Sequence, residues 1–320
     1  MTRRHQVYLI PGFFGFSALG GISYFRTVRE TLEDVFVRRG QPVEVVGVDT
    51  LPTASLKQRA RRLIRTVNTH DGFDEDVALH FVGHSTGGLD ARLVADSHSR
   101  LDLEHLDEPL HRNLQTVVTI ATPHYGTPLS NFFTTLYGKN LLYLVTLLII
   151  VGLWRQPISL LGGMLGFLTR INDLLGLDDT LIRQITDELL KEFNPEVEEE
   201  VRNFLHSILE DRGSMYQLTP EGMDIFNATV TDNPEVDYVS YATAAPPPAH
   251  VIRKIRLRHA LTPMNKVLYG VLWTLTSRAK DGYPYHPTVD SKDVITGSPL
   301  PFVVGESTSD GVVPTLSQIW

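Results

Sequence analysis

The sequence predicts an α/β protein built on a mostly parallel sheet with helices on both faces. Three observations lead there. The strand candidates Val7–Ile10, Val43–Val48, Val77–Val82 and Leu114–Ala121 are near-continuous apolar runs with little polar alternation. A strand buried on both faces reads that way, and parallel sheets are buried on both faces. Segments with helical apolar spacing separate the runs, the alternation that builds a parallel sheet. Finally, the third run ends in Gly83-His84-Ser85-Thr86-Gly87, and helix-compatible sequence follows at once. That is the strand–turn–helix setting in which G-x-S-x-G lifts a serine hydroxyl above a sheet.

Each element has its own signal. After Val7–Ile10 comes a Gly-rich loop, Pro11 to Phe16. Tyr24–Arg39 carries apolar residues at Phe25, Val28, Leu32, Val35 and Phe36, and Gly40 is a fitting stop. Val43–Val48 is the next strand. Ser55 and Gln58 have capping-box spacing and open a basic helix that runs to about Asn68. Val77–Val82 and Thr86–Asp96 form the strand and helix around Ser85, and Leu114–Ala121 is a further strand. From about Asn131 to Gly213 only helical stretches are expected. Among them, Asn194-Pro195 caps an amphipathic helix with Val197, Val201, Phe204, Leu205, Ile208 and Leu209 on its apolar face. Strand-like sequence returns at Val236–Thr243 and Pro301–Val304, with a helical block at Thr262–Arg278 between them. The expected organisation is therefore a core of residues 1–130 and 214–320 interrupted by a helical insertion at 131–213.

Composition narrows the function. The chain has 320 residues, 42% of them apolar, enough for a full core. A net charge of −8 argues against a general nucleic-acid role. Without cysteine there is no disulfide, thiolate metal site or cysteine nucleophile. Met1 to Gln6 leads into only four apolar residues before Pro11, too few for a secretory signal core. A cytoplasmic location is expected, with peripheral contact to a membrane as the further option.

A serine hydroxyl needs a base to take its proton and backbone donors to hold the oxyanion it creates. Ser85 is the candidate nucleophile, and the N–H of Thr86 is the first candidate donor. A carboxylate in Ser309-Asp310-Gly311 would follow the late strand at Phe302–Val304, on the rim that carries Ser85. Asp-Gly is also a common turn pair, so a purely local role for Asp310 stays open.

Together these pieces resemble an α/β-hydrolase, and within that superfamily the bacterial triacylglycerol lipases and their esterase relatives. Ile10 to Phe16 resembles the lipase oxyanion loop, with Pro11 where many relatives have histidine. Gly83 to Gly88 matches the nucleophile elbow. Ile120 to Gly126 resembles the T-P-H-x-G segment, and Leu218-Thr219-Pro220 through Asn227 the stretch leading into the second half. Ser309 to Pro314 resembles the N-D-G-L-V motif that carries the acid. The resemblance implies Ser85 as nucleophile, Asp310 as acid, and the N–H groups of Phe13 and Thr86 as the oxyanion hole. It implies ester hydrolysis on an acyl-ester or lipid substrate, with no cofactor required. An acyltransferase or thioesterase of the same fold, or a non-catalytic lipid-associated relative, are the alternatives.

One residue breaks the pattern. The family order is serine, acid, histidine, and the ten residues after Asp310 contain no histidine. Three explanations stand. The chain as given stops before its histidine, the favoured reading; or His124 or His286 serves out of order, since a triad is defined by geometry; or the site is vestigial. His84, inside the elbow, is expected to serve local packing.

The insertion opens with Leu141–Trp154, apolar on every side, and continues after Arg155, Gln156 and Pro157 with Ile158–Leu168. Fourteen residues are fewer than the roughly 20 that span a bilayer. A lid over the site is expected, with Phe14, Leu141, Leu144, Leu147, Leu148 and Trp154 facing substrate. A segment resting on a lipid interface and a membrane hairpin are the other readings. The basic run Arg253 to His259 is expected as a solvated edge, with anionic headgroups as the alternative.

Overall fold

In the computed structural model the described residues are 3–135 (apart from 14–17, 20–21, 72, 74–75, 100 and 102–107), 193–248 (apart from 211–212), 263–277 and 307–320, with isolated positions between 138 and 191. Five strands form one sheet: β1 (His5–Ile10), β4 (Val43–Gly47), β5 (Ala78–His84), β6 (Leu114–Ile120) and β7 (Asp237–Tyr241). Their order is β4-β1-β5-β6-β7, and every neighbouring pair is parallel. The first-half strands lie within two residues of the apolar runs. Between β1 and α1 (Arg26–Arg38) sits an antiparallel pair of two-residue strands, β2 (Ala18–Leu19) and β3 (Ile22–Ser23). Strands that short leave no periodic trace in a sequence.

The pleat sends alternate residues of each strand to opposite faces, and helices cover both. On one face Tyr8, Ile10, Leu79, Phe81 and Val117 pack with Ala60, Leu63, Ile64 and Val67 of α2 (Leu56–Asn68) and with Ala91 and Val94 of α3 (Thr86–Ala95). On the other, Val7, Leu9, Val45 and Val82 meet Phe25, Val28 and Leu32 at α1. The capping-box serine of α2 behaves as its spacing predicts: Ser55 Oγ accepts from the Gln58 N–H at 3.4 Å.

Further helices follow: α4 (Glu108–Asn113), α5 (Pro128–Phe133), α6 (Pro195–Glu210), α7 (Gly213–Gln217), α8 (Pro220–Thr229) and α9 (Pro263–Thr276). The N–H of Val197 donates to Asn194 Oδ1 at 3.0 Å, and Val197, Val201, Leu205 and Ile208 are buried, so α6 has the cap and apolar face its sequence predicts. α5 lies across the expected core–insertion boundary at 130 and packs against α9. Its start is marked by Thr127, whose hydroxyl accepts from the Leu129 N–H at 3.3 Å, and by Pro128 in the first turn. A 3₁₀ turn spans Thr315–Gln318. Among the described residues no helix is long and apolar enough to cross a membrane. The expected strand at Pro301–Val304, the basic run Arg253 to His259, and His286 lie outside the described residues.

Candidate active site

The turn between β5 and α3 is strained at one residue. Ser85 has φ 53° and ψ −128°, a conformation that L side chains rarely adopt. It is held there by its own bonds: the Ser85 N–H donates to Ile120 O at 2.8 Å, and Thr122 Oγ1 donates to Ser85 O at 2.9 Å. The two glycines of the motif are required by close approach. A Cβ on Gly83 would lie 2.4 Å from the backbone of Gly87, and one on Gly87 would lie 2.2 Å from Ile10 O. The pentapeptide thus lets the crossing backbones touch, and strand β5 delivers Ser85 to the sheet's carboxyl edge.

Ser85 lines a cavity of about 380 Å³ with predominantly apolar walls. That is the size of a small-ligand pocket. Thr86 and Phe13, the predicted oxyanion residues, line the same cavity, as does Asp310. The structure therefore brings together four residues drawn from three distant parts of the chain. Of the predicted lid residues, Phe14, Leu141, Leu144, Leu148 and Trp154 lie outside the described residues. Leu147 is fully buried but does not line the cavity. Among the described residues the apolar wall comes from Leu129 and Phe133 on α5, Leu218, Leu272 on α9, and Val312 and Val313 beside the acid. The sequence reading did not name these residues, since it looked for the apolar cover further along the insertion, whereas α5 straddles its start and α9 follows it.

Asp310 sits in a tight turn closed by Gly311 (φ 104°). Its Oδ1 accepts from the N–H groups of Val312 and Val313, both at 2.8 Å. Its Oδ2 accepts from the Thr243 hydroxyl at 2.9 Å and from Gln318 Nε2 at 3.1 Å. The turn role and the site role of this aspartate are thus compatible: one oxygen closes the turn and the other is held by Thr243, which lines the cavity, and by Gln318. Burial pushes its carboxyl above the usual carboxylate range, while the Val313 and Val312 amides and the Thr243 hydroxyl pull it back.

Two histidines near Ser85 are committed elsewhere. His124 is fully buried, and a guanidinium can only donate, so Arg92 Nη1 at 3.2 Å fixes its Nδ1 as acceptor. Its Nε2 then donates to Thr119 Oγ1 at 3.1 Å, and burial holds the ring's pKa well below its usual value. His124 does not line the cavity, which removes it as an out-of-order base. His84 does line it, with Nδ1 at 2.7 Å from the Tyr24 hydroxyl. Burial lowers His84's pKa and raises that of Tyr24 to about 12, so both are neutral near pH 7.

Behind the cavity, Arg59 joins the two halves of the predicted oxyanion site. Its guanidinium and the Asp90 carboxylate are both fully buried. Arg59 Nη2 donates to Asp90 Oδ2 at 2.7 Å and to Pro11 O at 2.8 Å, so one group ties helix α3 to the loop carrying Phe13. Burial pushes the Asp90 carboxyl up, and the Arg59 charge opposes that.

Comparison with known proteins agrees with this architecture. No family model matches the chain. A triacylglycerol lipase of Vibrio cholerae serotype O1 is 32% identical over 92 residues, which is 29% of this chain and 28% of that relative's length. The fold is similar to that of EstA from Clostridium botulinum (TM-score 0.52, 22% identity, 98% of this chain and 74% of that one). It is also similar to lipase 1 from Pelosinus fermentans (TM-score 0.53, 18% identity, 99% and 84%).

Proposed function

We propose that this chain, which has the α/β-hydrolase fold, is a serine carboxylic-ester hydrolase acting on apolar acyl esters. The observation that carries the reading is Ser85: a serine in a backbone conformation few residues tolerate, at the wall of an apolar cavity that also receives Asp310. Strain of this kind persists only where surrounding bonds over-determine it, and here it serves to expose one hydroxyl.

In the proposed reaction Ser85 Oγ attacks the ester carbonyl while an imidazole base, which neither His84 nor His124 supplies, takes its proton. The N–H groups of Phe13 and Thr86 receive the oxyanion. The base returns the proton to the departing alcohol, leaving an acyl-serine. Water, deprotonated by the same base, then adds to the acyl carbon and frees the acid and Ser85. Asp310 orients the imidazole and stabilises its charged form. Apolar walls at Leu129, Phe133, Leu218 and Leu272 favour an alkyl acyl chain over a charged one, because each buried methylene contributes about 0.8 kcal/mol.

The test is hydrolysis of p-nitrophenyl butyrate by the full-length protein and by its Ser85→Ala variant, with labelling by a fluorophosphonate as a second readout. Activity and labelling in the wild type, with a loss of about 10⁴-fold or more in the variant, support the reading. Equal rates in the two proteins, or no labelling of the wild type, would overturn it.

A further inference from the structure

We infer that Gln318 is a positioning residue for Asp310, and that it provides a second acceptor onto which the Thr243 hydroxyl turns when a base engages the acid. The inference rests on Asp310 being the acid of the proposed reaction.

The orientation of the Gln318 amide is fixed by its neighbours. The backbone N–H of Thr243 lies 2.6 Å from Gln318 Oε1, and a backbone N–H can only donate. The oxygen of the amide must therefore face Thr243, and its nitrogen faces the other way. There Nε2 donates to Asp310 Oδ2 at 3.1 Å and to Val313 O at 3.1 Å. Both amide hydrogens are used, and the residue is 1% exposed. Gln318 thus bridges the strand end at Thr243 and the turn at Asp310 with no spare donor and no freedom to flip.

Thr243 is the movable part. Its hydroxyl has one proton and two acceptors, Asp310 Oδ2 at 2.9 Å and Gln318 Oε1 at 3.0 Å. Thr243 lines the cavity, whereas Gln318 does not. With the Val312 and Val313 amides on Oδ1 and with Thr243 and Gln318 on Oδ2, the four lone-pair positions of the carboxylate are taken. An imidazole N–H reaching Asp310 from the cavity must displace one donor. The backbone amides are held by the turn, and Gln318 is locked from both ends. The Thr243 hydroxyl alone has another acceptor ready, so it rotates to Gln318 Oε1 and leaves Oδ2 to the base. No buried polar group is orphaned in either state.

The test uses the full chain, with kcat and KM for a nitrophenyl ester measured against pH for wild type, Gln318→Leu, Gln318→Glu and Asp310→Asn. Gln318→Leu removes a donor from a carboxylate, and a hydrogen bond to a charged group corresponds to about one pH unit. We expect kcat to fall about ten-fold with KM within about two-fold, and the acid limb of the profile to move up by about one unit. Gln318→Glu keeps the shape but sets a second carboxylate against Asp310; its limb moves further, and part of its activity returns as pH rises. It remains informative if Gln318→Leu folds poorly, which melting curves report. In the Asp310→Asn background, Gln318→Leu adds no further loss. A wild-type rate and limb in both Gln318 variants, or losses additive with Asp310→Asn, overturns the positioning role alone. An Asp310→Asn variant as active as wild type overturns the acid reading, and the positioning role with it.

Discussion

Replacing Asp90 by alanine isolates the buried charge behind the site. In the wild type Arg59 Nε lies 3.1 and 2.9 Å from the two carboxylate oxygens, and Nη2 lies 2.7 Å from one of them. Neither side chain has any exposure to water. Asp90→Ala removes the anion and leaves the guanidinium with neutral acceptors only: Pro11 O at 2.8 Å, Leu51 O at 2.6 Å, Thr50 Oγ1 at 3.2 Å and Pro52 O at 3.5 Å. Removing one partner of a buried pair costs about 3–5 kcal/mol, because the remaining charge has lost both its counter-ion and its hydration. The carbonyl acceptors offset part of this, so the lower end is expected, about 3 kcal/mol. That is a large share of the roughly 5–15 kcal/mol that holds a domain folded. In a urea titration monitored by tryptophan fluorescence the midpoint should fall by about 1 M. The double variant Arg59→Met/Asp90→Leu carries no buried charge and should recover at least half of the loss. It also frees Pro11 O, so ester hydrolysis stays impaired even where stability returns. A cost under about 1 kcal/mol for Asp90→Ala, or a double variant less stable than either single one, would refute the argument that the pair is fully desolvated.

Three other outcomes follow from single contacts. Gly87→Ala places a Cβ 2.2 Å from Ile10 O and 2.8 Å from Pro11 O, both backbone atoms, so melting curves should show at least about 2 kcal/mol of destabilisation, and esterase activity should fall further than the folded fraction does. A variant with wild-type stability and activity would mean the backbones do not meet as described. His80 is held neutral: burial first, then the His5 and Arg3 charges, lower its pKa to about 4. Between that value and the ordinary 6.5 the unfolded chain binds more protons than the folded one, so this contribution is fully present above about pH 6.5 and is lost as pH falls toward 4, by roughly 2–3 kcal/mol. Urea titrations at pH 4.5 and 7.5 should show a much smaller pH effect in His80→Phe, and an unchanged one would count against the assignment. Trp320→Ala removes a ring whose centroid lies 3.4 Å from Arg92 Cζ and which also stacks on His124, so about 2 kcal/mol should be lost, with a smaller loss when Arg92 is already methionine.

The sheet was readable because burial on both faces leaves a plain mark. β1, β4, β5 and β6 are near-continuous apolar runs, and each lies within a residue or two of its expected place. The elbow was readable because steric demand leaves a mark too: only glycine fits at 83 and 87, so the spacing records the crossing of two backbones. The pairing of Arg59 was not readable. It lies in the basic helix that opens at Ser55, and its side chain is buried against Asp90. Helical spacing from Leu56 and Leu63 sets it on the apolar face, apart from Arg61 and Arg62, but its partner is 31 residues away and leaves no local mark. α5 did carry a signal, Thr127 followed by Pro128, but the boundary drawn at 130 cut through it. The cavity wall was lost with it, since Leu129 and Phe133 line the pocket.

Asp310 shows why a motif can locate a residue without describing its state. Its position was carried by a local pattern, a carboxylate before glycine near a late strand. Its state depends on Thr243, 67 residues earlier, and on Gln318, eight residues later. Neither is apolar or periodic, and neither stands out among the chain's other threonines and glutamines. What singles them out is an accounting constraint that exists only in three dimensions: a buried carboxylate must fill its acceptor positions, and a buried amide must use both ends. Once those conditions are applied, the Gln318 amide has one permitted orientation and the Thr243 hydroxyl has two permitted acceptors. The acid is therefore satisfied before any base arrives and can remain satisfied after one does, at the cost of one hydroxyl rotation.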